Sequence, residues 1–237
     1  LEIVSAERIR AELERLLLSP YPRRGLELLV HTGICDIVLP EVSALQDTVD
    51  EHRRHKDVYE HTLTVLQQAM DLETGPDGAV PGPDLRLRLA ALMHDIGKPA
   101  TRRFMPDGTV TFHAHDYVGA RMTAKRMRAL HFDKQTIKDV SRLVELHLCF
   151  HGYADSPWSD SAVRRYVTDA GPLLARLGCL TRADVTTGNR RKAAMLSHAY
   201  DDLERRIEAL RQQEELASIR PELDGQEIMA ELGIKPG

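Results

Sequence analysis

Long apolar runs, aromatic residues and paired cysteines are all scarce in this chain. No stretch approaches the roughly 18 to 20 consecutive apolar residues that a membrane-spanning helix needs, and no signal-like segment opens the sequence. Aromatic residues make up only 5% of the 237 positions, which disfavours a β-sandwich and points to helices packed through Leu, Ala, Ile and Val. The three cysteines, Cys35, Cys149 and Cys179, are odd in number, far apart and without a Cys-x-x-Cys. A disulfide framework is therefore excluded, and a reducing, cytoplasmic location is expected. A large excess of one charge is missing too. The formal net charge of -4 excludes a basic coat but leaves room for a local basic face.

What remains is an ordinary globular composition, 42% apolar and 29% charged, in a chain long enough for one or two domains. Helical periodicity dominates. Ser5 caps an expected helix carrying Ile9, Leu13, Leu16 and Leu17 that ends near Ser19-Pro20. A second runs from Pro22 to His31 and stops at Gly33, and Leu39-Pro40-Glu41 begins a third element. A polar, basic segment from Glu51 to Asp57 leads into a helix around His61 to Met70, and the Gly- and Pro-rich run 75–83 reads as a surface loop. A helix is expected from Asp84 to Asp95. Thr101 to Met105 and Thr109 to Phe112 then flank Pro106-Asp107-Gly108 as a small β-hairpin. Helices follow at His115 to Leu130, Lys134 to Leu148 with Asp133 as cap, Asp160 to Asp169, Pro172 to Thr186 and Arg190 to Ile219, with a short one after Asp224-Gly225. The expected fold is all-α: a helical bundle with one small β-hairpin, flanked by N-terminal helices and a long C-terminal helix.

Within this pattern the pair His94-Asp95 stands out, because it follows the apolar run Leu89-Ala90-Ala91-Leu92-Met93. A carboxylate delivered to a buried place needs a metal or an ion-pair partner. Other candidate ligands, His61, His115, His147 and Asp184, fall on or at the ends of different expected helices, which is how a bundle builds an internal metal site. Several imidazoles with two carboxylates make a mixed nitrogen and oxygen set suited to Mn, Fe, Co, Ni or Zn. His31, His52, His131 and His198 lack such company and read as surface or packing residues.

The series His61, His94-Asp95 followed by Ile96-Gly97-Lys98, and Asp184 resembles the HD superfamily of metal-dependent phosphohydrolases over roughly Val58 to Thr187. The resemblance implies that those four ligands hold one divalent ion, that His115 and His147 hold a second, and that Asp95 bridges. The expected cofactor is one or two divalent ions, drawn from Mn, Ni, Fe, Co, Mg or Zn. A second resemblance covers nearly the whole chain. Leu1 to Ile9, Leu39-Pro40-Glu41, Arg182 to Thr187 and Pro221 to Gly225 are similar to the C-terminal part of bacterial CCA-adding tRNA nucleotidyltransferases of the poly(A) polymerase type. It implies a helical neck and RNA-binding region over 1–50, an HD domain over 51–189 and a C-terminal helical body over 190–237, truncated. The nucleotidyltransferase head of such proteins is expected to be missing, since no Gly-Ser dipeptide and no strand pattern to carry one is present. Nucleotide addition by this chain alone is then not expected.

The reading of function is accordingly the HD-containing part of a tRNA nucleotidyltransferase. It would hydrolyse phosphoesters, as a phosphatase or 2′,3′-cyclic phosphodiesterase, and bind tRNA. Asp95 is the expected catalytic ligand, and Lys98 is placed to stabilise charge on the phosphate. Arg121, Lys125 and Arg128 share one helix face, and with Arg126, Arg164-Arg165, Arg190, Arg191 and Lys192 make a candidate RNA-phosphate strip. The expected partners are tRNA or a nucleotide phosphoester and the head, with no membrane. Two alternatives stay open: an independent HD nucleotidase or phosphodiesterase, and a catalytically silent tRNA-binding scaffold.

Overall fold

The computed structural model describes residues 4–48, 58–150, 152–153, 156, 158–187 and 189–218. The chain opens with α1 (Ala6–Leu18), α2 (Pro22–His31) and two single-turn helices, α3 (Cys35–Val38) and α4 (Pro40–Ser43). These are followed by α5 (Val58–Asp71), α6 (Leu85–Met93) and the short α7 (Lys98–Thr101). An antiparallel hairpin, β1 (Arg103–Phe104) and β2 (Val110–Thr111), precedes α8 (His115–Ala129), α9 (Lys134–Leu146), α10 (Asp160–Ala170), α11 (Leu174–Ala183) and α12 (Arg190–Ser218). Among the described residues the fold is all-α apart from that hairpin and one isolated bridge between Thr74 and Pro81. No described helix is long and apolar enough to cross a membrane.

Local chemistry sets most helix ends. Ser5 accepts from the Arg8 amide, Asp84 from Leu87, Asp133 from Thr136 and Ser159 from Ala162, each side chain satisfying a donor that the first helical turn leaves unpaired. Gly33 follows α2 at φ 71°, a conformation that glycine adopts without steric cost. The hairpin is shorter than the sequence suggests because Lys98–Thr101 forms a helical turn, in which the Thr101 hydroxyl donates to Gly97 O at 3.0 Å. Likewise α9 stops at Leu146 and α11 at Ala183, two and three residues early, since His147 and Asp184 take the C-cap positions. The segment Glu51 to Asp57 and the short helix expected after Asp224-Gly225 lie outside the described residues.

Helix α6 is the hub. Leu87 through Met93 are all buried, as expected for a helix without a polar face, and α1, α5, α9 and α11 pack around it. One continuous core runs from Leu13 on α1 to Leu210 on α12. Arg88 is the polar exception on the hub. Its guanidinium lies 2.6 and 2.7 Å from the Glu73 carboxylate, and also donates to Leu17 O at 2.7 Å and Ser19 O at 3.0 Å. It thereby caps carbonyls left open at the end of α1 and ties the N-terminal helices to the hub. Asp84, which caps α6, pairs with Arg176 of α11 at 2.7 Å.

Replacing Arg88 with Met leaves the Glu73 carboxylate buried without its cation. Urea unfolding is expected to show a loss of about 3–5 kcal/mol. Arg88→Met combined with Glu73→Gln should recover part of that loss, and equal instability of the single and double variants would show that the charge pairing is not the cause.

Candidate metal centre

Five helix ends converge on one place. His61 lies in the first turn of α5, His94 and Asp95 at the end of α6, His115 at the start of α8, His147 at the end of α9 and Asp184 at the end of α11. Asp95 is at the middle, with 1% of its side chain exposed. Its Oδ2 is 3.2 Å from His94 Nε2, 3.5 Å from His61 Nε2 and 2.9 Å from Lys98 Nζ, while Oδ1 is 3.3 Å from His115 Nε2. Asp184 Oδ1 approaches His61 Nε2 at 3.0 Å and His94 Nε2 at 3.5 Å.

Three of the imidazoles are fixed in the same way. Nδ1 of His94 faces Ala91 O at 2.8 Å, that of His115 faces Phe112 O at 2.8 Å, and that of His147 faces Val144 O at 2.6 Å. A carbonyl can only accept, so each Nδ1 carries the proton and donates. Each Nε2 is thereby turned toward the centre as the ligating atom, the arrangement expected of metal-binding histidines. The fourth, His61, meets the Thr186 hydroxyl through Nδ1 at 3.1 Å.

The ligand atoms form two sets, His61–His94–Asp95 and Asp95–His115–His147, each gathered within 4.8 Å, with Asp95 common to both. Whether these residues suit a divalent ion is tested by His147. Its Nε2 is buried and has no hydrogen-bond partner, a costly state for a polar atom, and an ion held with Asp95 and His115 would satisfy it. The donor set of imidazoles and carboxylates fits as well.

The electrostatics of the cluster agree. Burial opposes the imidazolium at His94, yet Asp95 and Asp184 prevail and push its pKa up to about 10. Burial would likewise raise Asp95, but the His94 charge, Lys98 and His115 hold it well below the usual carboxylate range. Asp184 follows the same pattern, with His61 and His94 overcoming burial. Burial, then the His94 charge, lowers His147 to about 4, so this ring stays neutral and available as a ligand.

All six expected ligands are therefore brought together. Lys98 is there too, but its ammonium rests on Asp95 and 5.7 Å over the Phe112 ring. The basic strip is only partly assembled. Arg121 and Arg128 line one groove, whose lining does not include Lys125, and Arg190 and Arg191 stand in the first turn of α12. Arg126 and Arg164 are committed elsewhere, to Glu41 at 2.8 Å and Glu214 at 2.6 Å.

Sequence reasoning missed three supporting features. Thr186 orients His61. Ala114 adopts φ 61° just before His115, a strained setting for a residue with a side chain. Gly97 permits a close approach: a Cβ there would sit 2.1 Å from His115 O and 2.7 Å from Gly119 N. The only signal of it was a glycine directly after the His-Asp-Ile run.

A family model described as "HD domain" matches residues 58–189. Another, described as "Probable RNA and SrmB- binding site of polymerase A", matches residues 1–45. The chain is 36% identical over 234 residues to the A-adding tRNA nucleotidyltransferase of Deinococcus radiodurans, covering 98% of this chain and 51% of that protein. It is 35% identical over 234 residues to the CC-adding tRNA nucleotidyltransferase of Thermus thermophilus, covering 98% and 49%. It is 32% identical over 148 residues to the Multifunctional CCA protein of Neisseria gonorrhoeae, covering 62% and 33%. The chain thus spans about half the length of the first two relatives.

Two predictions follow from the geometry. The raised pKa keeps His94 protonated at neutral pH without a metal, so a divalent ion must displace that proton. Calorimetric affinity for Mn2+ is expected to rise about tenfold per pH unit from about pH 7 to 9, with proton release visible on changing the buffer. An affinity flat with pH would show a neutral His94. Gly97→Ala forces a side chain against backbone and should cost about 1–3 kcal/mol, with bound Mn2+ falling alongside. Parent-like melting and metal content would show that the α7–α8 contact can relax.

Proposed function

The chain belongs to the HD-domain family, and from that membership we propose that it is a metal-dependent phosphohydrolase working on RNA ends or nucleotide phosphoesters. The observation that carries this reading is the pair of ligand sets sharing Asp95. In this assignment His61, His94, Asp95 and Asp184 hold one divalent ion, and Asp95, His115 and His147 a second. When bound, the ions supply Lewis-acid activation of water and neutralise charge on the phosphoester. The residues do the rest. The Nδ1 donations of His94, His115 and His147 to their own backbone hold the ligand atoms in place. The flexible stem of Lys98 lets its ammonium move from Asp95 to a phosphate oxygen beside it and stabilise charge in the transition state.

We further assign the chain to the tRNA-processing context of its relatives, with 1–50 as an RNA-facing neck, 51–189 as the HD unit and 190–237 as a helical body. Nucleotide addition is assigned to the portion of the relatives that this chain does not span. The two relatives matched over 98% of the chain carry different names, A-adding and CC-adding, so what they share with it serves a task common to both. Arg121, Lys125, Arg128, Arg190 and Arg191 are the proposed RNA-phosphate contacts. At Arg190 and Arg191 the positive end of a helix dipole disfavours a cation, a cost that an RNA phosphate offsets. The described cysteines are free thiols, which suits a cytoplasmic site of action.

Hydrolysis of a chromogenic phosphodiester with added Mn2+ or Ni2+ tests the reading. His94→Ala/Asp95→Ala is expected to lower the rate by roughly a hundredfold or more. His147→Gln should weaken activity while the fold persists, read from thermal unfolding. Parent-like rates in both variants would exclude this centre as the site of hydrolysis and leave the scaffold reading.

A further inference from the structure

A groove of about 1060 Å3 runs between the α8–α9 pair and the segment 168–173 at the end of α10. The two helices are antiparallel and joined at a tight turn by Leu130–Asp133, where His131 has φ 58°. At one end the groove begins at Tyr117 and Glu145, which lie two residues from His115 and His147 and so on a different face of their helices from the metal centre. At the other it reaches His131, whose ring lies 2.6 Å from Glu7 and whose carbonyl accepts from Arg10. Both partners are on α1, within the segment matched by the RNA-binding family model. Along α8, Tyr117 to Arg128 spans about 16 Å at the helical rise.

The charge on its walls is one-sided. Among the lining acids, Asp139 pairs with Arg86 at 3.2 Å, and Glu145 and Asp169 pair with Arg142 at 2.8 and 3.6 Å. The lining cations Arg121 and Arg128 on α8 and Lys134 and Lys138 on α9 have no acidic partner among the described residues, Arg121 making only a contact 5.9 Å over the Tyr117 ring. Elsewhere arginines such as Arg23, Arg126, Arg176 and Arg182 are matched with carboxylates. Arg142 faces two carboxylates and leaves one acidic charge over, but four cations without an acidic partner on two rails outweigh it and complement an extended polyanion.

We propose that this groove holds the phosphate backbone of duplex RNA. Deepening the functional reading above, it rests on that reading's RNA substrate. Lys134 and Lys138 supply the second rail, which neither the helix-face pattern of α8 nor the family match reveals. Recognition is by shape and backbone: Tyr117 is the sole exposed Tyr, Phe or Trp of the lining, and the exposed His131 ring is held by Glu7, whereas stacking of successive unpaired bases needs more.

Binding of a fluorescent RNA hairpin by the full chain, measured over a salt series, tests the groove. Lys134→Gln/Lys138→Gln is compared with Arg103→Gln/Arg211→Gln, which removes the same charge from exposed positions elsewhere. The groove variant should bind about tenfold or more weakly at 0.1 M salt and lose about two from the slope of log affinity against log salt. The control should stay within about twofold, with both unfolding at the parent's temperature. Adding Arg121→Gln and Arg128→Gln to the groove variant should bring the lost slope to about four. Equal losses in groove and control variants would overturn the groove while leaving RNA binding and the hydrolysis assay standing. A parent that ignores the hairpin, or binds polyglutamate in its place, would overturn both the groove and the RNA part of the functional reading.

Discussion

A buried carboxylate at the wrong end of a helix sets the terms for this structure. Asp95 follows α6 at its C-terminal, negative end, where the helix dipole disfavours an anion, and it has lost nearly all contact with water. Such a charge persists only if cations or donors reach it from elsewhere. His61, His94, Lys98 and His115 do so, and all but His94 come from outside α6. The convergence of α5, α7 and α8 on the hub is therefore an electrostatic requirement as well as a packing preference.

The imidazoles meet a second requirement with the same atoms. Helix C-termini leave carbonyls without intrahelical donors. Ala91 O and Val144 O belong to the last turns of α6 and α9, and the Nδ1 groups of His94 and His147 supply the donors. Each ring thus caps its own helix and presents Nε2 inward, so one side chain both ends the helix and contributes to the candidate metal centre. His115 repeats the geometry at a helix start, using Phe112 O, and requires Ala114 in the left-handed region to do it.

What the sequence made legible was whatever depends on neighbours in the chain. Helix caps at Ser5 and Asp133 and the break at Gly33 follow from residues a few positions apart, and all appear in the structure. The buried placement of His94 and Asp95 was legible for a different reason: a His-Asp pair inside an apolar run has few stable explanations. What could not be read depends on partners far apart in the chain. Arg88 meets carbonyls 71 and 69 residues away, and Thr186 meets a ring 125 residues away. The pairing of Arg126 with Glu41, 85 residues apart, removed one cation from the basic strip for the same reason, and the second rail of the groove appears only once α9 lies against α8.

These long-range contacts also explain why the N-terminal helices cannot be treated as a passive attachment. Arg88, on the buried stretch of α6, and His94, at its C-cap, lie six residues apart, one fastened to the end of α1 and the other in the candidate metal centre. A shift of α1 must either break the Arg88 contacts, leaving the Leu17 and Ser19 carbonyls without that donor, or carry α6 with it. Through these contacts α1, α6 and the His94-Asp95 pair belong to one packed frame. The second link, from Glu7 and Arg10 to His131 at the α8–α9 turn, holds the other side of the same frame. The placement of the ligand atoms is consequently a property of the whole helical assembly, including the segment that resembles an RNA-binding region.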